Sequence, residues 1–147
     1  MPDRRSNQAD CKSLAEFSLF DSVNRDELTA VESNMRRTVH EAGEIVVHHL
    51  DNDDGVYFIM SGSLIASIIS PEGREVAFDV MQPGDYFGEI AAIDQGSRSA
   101  SVAALQPSEV ALISGQHFRE LVQKHPAISW ALVNDLVARI RRLSCVP

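Results

Sequence analysis

The chain has 147 residues, a formal net charge of −8 and 44% hydrophobic residues. That length suits one domain, and its apolar share excludes a globally disordered chain. The acidic balance argues against direct nucleic-acid binding by this domain, which calls for a basic face. Any anion site must therefore be built locally, from an arginine and backbone N–H groups.

Residues 1–12 are polar and mixed in charge and read as a flexible tail, with one domain over 13–147. Met1-Pro2-Asp3-Arg4-Arg5 lacks the apolar core of a signal peptide. No apolar run reaches the ~18 residues of a membrane span. Cys11 and Cys145, near opposite ends, read as free thiols suited to a reducing compartment. Together these features predict a cytoplasmic protein without membrane association.

From Ser13 the pattern turns helical, with Leu14, Phe17 and Leu19-Phe20 on one stripe. Asn24, followed by Glu27, predicts the start of a second helix carrying Leu28, Val31 and Met35. After Arg37 the pattern changes to short β-branched runs: Thr38–His40, Ile45–Val47, Val56–Met60, Leu64–Ile69, Glu75–Met81, Ser101–Leu105 and Glu109–Ile113. Turn residues separate them, including Pro71-Glu72-Gly73 and Gln82-Pro83-Gly84-Asp85. The Asp-rich loop at His48–Gly55 lacks the spacing of a calcium loop and reads as a solvated turn. Ser114 caps a helix to Lys124, and Pro126 opens the last helix, where Leu132, Val133, Leu136, Val137, Ile140 and Leu143 form one wide stripe. That stripe serves either packing on the chain's own sheet or a homodimer seam. The expected fold is mainly β with flanking helices: a double-stranded β-helix, or jelly roll, with N-terminal helices and C-terminal lid helices.

The stretch from Phe87 to Val102 carries the chemistry. Gly88 permits close backbone approach. A short helix from about Ile90 points its free N–H groups at one spot. Arg98 supplies a forked, permanently charged donor, and Ser99 a hydroxyl. Glu89 suits a ribose hydroxyl rather than a phosphate. Phosphate and hydroxyl recognised together inside a β-roll suggest a cyclic nucleotide. No nucleophile–base pair or metal-ligand set accompanies them, so neither an enzyme nor a metal site is expected.

Phe87-Gly88-Glu89-Ile90-Ala91, an eight-residue gap, and Arg98-Ser99-Ala100-Ser101-Val102 resemble the phosphate-binding cassette of the cyclic-nucleotide-binding domain family. That family includes catabolite activator protein, protein kinase A regulatory subunits and cyclic-nucleotide-gated channels. The resemblance covers about residues 13–144 and includes Gly43-Glu44, Tyr57-Phe58-Ile59, Gly62 and Pro83-Gly84-Asp85. It implies that Glu89 binds the ribose 2′-hydroxyl and that Arg98 and Ser99 hold the phosphate. The backbones of Gly88, Ala91 and Ala100 would donate to phosphate or ribose, and Ile90 would pack beside the nucleotide. The last helix would serve as a mobile lid, with Arg139, Arg142 or Ser144 as base contacts. Ser99 in place of threonine favours cAMP over cGMP by the same analogy. The implied function is a non-enzymatic sensor, with cAMP or cGMP as ligand and no other cofactor. Two alternatives stay open: the sensor part of a transcription regulator or channel, and a scaffold whose pocket is empty or holds a cyclic dinucleotide.

Overall fold

Val56–Met60 is an unbroken apolar run, and the computed structural model buries both of its faces. The structure describes residues 9–48, 50–98 and 100–144, without the side chains of Leu143 and Ser144. Most of the tail expected over residues 1–12 lies outside the described residues, as do Ser99 and Cys145.

Among the described residues, eight strands form two four-stranded antiparallel sheets. They are β1 (Arg36–His40), β2 (Ile45–Val47), β3 (Val56–Ser61), β4 (Leu64–Ile69), β5 (Glu75–Met81), β6 (Tyr86–Phe87), β7 (Ser101–Ala104) and β8 (Ser108–Ile113). One sheet has the order β1-β8-β3-β6 and the other β2-β7-β4-β5. This is the expected jelly roll. Among the described residues, four α-helices complete it: α1 (Arg25–Ser33), α2 (Glu89–Asp94), α3 (Gly115–Lys124) and α4 (Pro126–Ser144).

Strand periodicity divides the core in two. Tyr57 and Ile59 of β3 face the space between the sheets, with Leu64, Met81, Phe87, Val102 and Val110. Val56, Phe58 and Met60 face the other way, onto the N-terminal segment, α3 and α4. Phe58 is the hub of that outer layer. Its ring lies 5.2 Å from Phe17, 5.5 Å from Phe20 and 5.4 Å from Tyr86.

The helix predicted from Ser13 is instead two 3-10 turns, Leu14–Glu16 and Ser18–Phe20. Ser13 caps the first in a complete capping box with Glu16, and Phe17 between them is extended. The break lets Leu14, Phe17, Leu19 and Phe20 all bury on one curved surface, which a straight helix of that length cannot do. The caps expected at Asn24 and Ser114 form, through Glu27 N–H and His117 N–H.

The wide stripe predicted on the last helix divides into two. Leu132 and Leu136 pack with Ile128 on the outer core, whereas Val133, Val137 and Ile140 join Trp130 on an exposed face. The side chain of Leu143 lies outside the described residues.

Replacing Phe58 by alanine removes the hub from a filled site. We expect Phe58→Ala to lower unfolding free energy by about 3–5 kcal/mol, measured by urea denaturation. A loss below about 1 kcal/mol would contradict this assignment of the core.

Candidate functional site

Two residues of β6 deliver the chain to the site. Tyr86 and Phe87 pair with Phe58 and Tyr57 of β3, and the Phe87 ring stacks on Tyr57 at 4.9 Å. Gly88 follows with φ of +98°. A Cβ there would lie 2.5 Å from the Gly55 carbonyl oxygen and 2.6 Å from Arg98 Nη1. The position therefore requires glycine for both backbone angle and space. α2 begins at the next residue. Its first-turn N–H groups have no intrahelical acceptor, as at any helix start.

Arg98 is 4% exposed. Nη2 donates to the Gly55 carbonyl at 2.7 Å and lies 3.2 Å from Asp53 Oδ2. Nη1 reaches the Gly88 carbonyl at 3.5 Å, and the guanidinium stands 5.6 Å from the centre of the Tyr57 ring. Its Nε has no partner among the described residues. Asp53 is organised in turn: it accepts from Tyr57 Oη at 2.5 Å and from the Gly55 N–H at 2.9 Å. Burial by itself would raise the Asp53 carboxyl, but these donors and Arg98 hold it below the ordinary carboxylate range. The Tyr57 hydroxyl is pushed upward, by burial first and by its bond to Asp53 second.

Glu89 is 1% exposed. Arg139 of α4 donates through Nη1 to Glu89 Oε1, closing an ion pair between cassette and last helix. Glu89 Oε2 and Arg139 Nε have no partner among the described residues. A cavity of about 240 Å³ lies between these groups. Val47, Ala66, Met81 and Val102 form its apolar wall, and Glu89, Ser97, Arg98 and Arg139 its polar rim.

Of the residues singled out in the sequence, Phe87, Gly88, Glu89, Ile90, Ala91, Arg98 and Ala100 all line this one cavity. Ile90 lines it while half exposed. Ser99 is outside the described residues, and the Ser144 side chain likewise. Arg142 lines a neighbouring polar cavity with Asp79, Asp135 and Arg139. There the Tyr86 hydroxyl donates to Asp135 at 2.6 Å, tying β6 to α4.

The residues that sequence reasoning missed are Asp53 and Asp54. Both sit in the His48–Gly55 loop, where the sequence predicts a solvated turn, yet Asp53 faces Arg98 and Asp54 faces Arg119 of α3 at 3.1 Å. Two adjacent aspartates ahead of a glycine were the only signal, and their partners lie 45 and 65 residues away.

Chemically, the cavity combines opposite unmet demands. A buried carboxylate oxygen calls for an O–H or N–H donor, and buried guanidinium N–H groups call for an acceptor. A ligand carrying an anion beside a hydroxyl meets both.

Residues 37–125 match the family model described as "Cyclic nucleotide-binding domain". The cAMP-activated global transcriptional regulator CRP of Salmonella typhimurium is 33% identical over 97 residues, 65% of this chain and 46% of that protein. The chain thus spans about half the length of such curated relatives. Among solved structures, Thermus thermophilus catabolite activator protein superposes with a TM-score of 0.77 at 24% identity, over 86% of this chain and 60% of that one. The regulatory domain of Toxoplasma gondii PKA with cAMP gives 0.75 at 24%, over 86% and 47%.

The Asp53 contribution has a defined pH signature. A carboxyl lowered on folding adds stability that is complete above its unfolded value, 3.8, and is lost as pH falls through the folded value. Asp53→Asn should therefore lower the urea midpoint at neutral pH, and the difference from wild type should shrink as the pH falls below 3.8. An equal deficit at neutral pH and below 3.8 would contradict a carboxyl held low by Tyr57, Gly55 and Arg98.

Proposed function

The chain belongs to the cyclic nucleotide-binding domain family, and on that premise we propose that it is a non-enzymatic cAMP sensor whose last helix relays occupancy. The observation that carries this reading is the pairing of opposite groups in one cavity that have no partner among the described residues: Nε of buried Arg98 and Oε2 of buried Glu89. The cyclic phosphate takes Arg98 and the N–H groups of the first α2 turn, aided by Ser99. The ribose 2′-hydroxyl donates to Glu89 Oε2. Gly88, Ala91 and Ala100 approach through their backbones, with Phe87 and Ile90 as apolar walls. The purine lies toward Val47, Ala66 and Met81.

Arg139 belongs to the ribose side in this reading, because it already pairs with Glu89. Base contacts are left to Arg142 and Ser144. A ligand that binds more tightly when α4 is seated on the cassette shifts the chain toward that arrangement. cAMP is favoured over cGMP because the relatives named above carry cAMP in their names or complexes.

Isothermal titration with cAMP and cGMP tests the reading. Saturable heat with cAMP at micromolar concentration is expected. Arg98→Ala should weaken binding at least ~100-fold, since charge-assisted bonds to a buried anion are lost, about 3 kcal/mol. Absence of heat with either nucleotide, or an unchanged affinity in the variant, would sink it.

The exposed face of α4 supports a second element of the proposal, a homodimer. Trp130, Val133, Val137 and Ile140 follow at intervals of three, four and three residues, the spacing of a two-helix seam. Val137→Glu is expected to halve the mass seen by analytical ultracentrifugation. A wild-type chain that sediments as a monomer at high micromolar concentration would exclude the seam.

A further inference from the structure

We propose that Arg119 of α3 is a positioning residue that couples the cassette to the α3–α4 segment. The inference deepens the cyclic-nucleotide reading and rests on it for the identity of the ligand.

Three consecutive residues divide their groups between two arginines. Asp53 Oδ2 and the Gly55 carbonyl receive Arg98 Nη2, at 3.2 and 2.7 Å. Asp54 Oδ2, between them in the chain, receives Arg119 Nη1 at 3.1 Å. The same nitrogen donates at 2.8 Å to the Ala92 carbonyl of α2. A guanidinium NH₂ carries two hydrogens, so it serves both acceptors at once. Ala92 lies in the last turn of α2, where carbonyls lack intrahelical donors. Arg119 supplies the missing donor from outside the helix.

The fit at this junction is close. Gly115 opens α3, and a Cβ there would lie 2.4 Å from Asp54 Cγ. α3 then runs through His125 into α4, whose Arg139 pairs with Glu89. The α3–α4 segment therefore holds the six-residue helix α2 at both ends: Arg139 at its first residue and Arg119 near its last.

The consequence is mechanical. An anion arriving at the unpartnered Nε of Arg98 shifts the guanidinium whose Nη2 holds Asp53 and Gly55. The loop that makes those contacts is the loop that Asp54 fastens to Arg119. Because Asp54 and Ala92 share one nitrogen, displacement of the loop relative to α2 pulls on α3. At this exposure the Arg119–Asp54 pair adds little to stability, so its effect is on position.

Trp130, the single tryptophan, reports the state of α4. In the wild type, cAMP should change Trp130 emission with the midpoint found by calorimetry. In Arg119→Met we expect affinity within about fivefold of wild type, while the amplitude of the emission change falls by more than half. Arg119→Lys should recover part of that amplitude, because an ammonium still donates to both acceptors. Full amplitude in Arg119→Met overturns the proposal, and so does a loss of amplitude only in step with affinity. If the wild type binds neither cAMP nor cGMP, the sensor reading fails, and the coupling is read from hydrogen exchange in the unliganded chain. Arg98→Lys should then speed exchange of α3 amides several-fold, and should not do so when Arg119→Met is already present. Additive effects of the two substitutions overturn the coupling.

Discussion

A permanently charged guanidinium held almost entirely out of water is the constraint on which this structure depends. Burying an unpaired cation costs far more than a domain of this size can tolerate, so the surroundings of Arg98 must supply acceptors. They do so with the Gly55 carbonyl, the Asp53 carboxylate and the face of Tyr57. Each comes from the loop before β3 or from β3 itself. The two-residue strand β6 pairs with β3 and sets Gly88 against the same spot. An acidic chain thereby creates a local cationic site without a basic surface.

The second charge, on Glu89, has the opposite sign and a more distant partner. Arg139 reaches it from α4, so the cassette's ion pair is also a tertiary clasp. α2, with six residues, is too short to persist alone. It is held by packing of Ala91 and Ala92, by Arg139 at one end and by Arg119 at the other. An element maintained from outside in this way takes its position from its anchors.

Much of the fold was legible because burial imposes periodicity. The seven strands expected from β-branched runs are present, with ends shifted by one or two residues at four of them. β6 went unread because two residues carry no period. The N-terminal segment read as a helix because its apolar spacing fits 3.6 residues per turn, yet the curved outer core selects two 3-10 turns. On α4 the pattern revealed an apolar face wider than one contact surface, but not where the β-roll ends and the exposed strip of Trp130, Val133, Val137 and Ile140 begins.

The site shows the same division. The amino-acid sequence by itself determined the cassette: a glycine that permits close backbone approach, a carboxylate beside it, an arginine at a set spacing, and the turns and caps around them. These are local properties, carried by residues near one another in the chain. Only the tertiary structure decided which groups answer them. Asp53 reaches Arg98, Asp54 reaches Arg119, and Arg139 reaches Glu89 across 45, 65 and 50 residues. No local pattern encodes such pairings, because a charge selects its partner by distance and burial, and both exist only once the two sheets and the helices have packed.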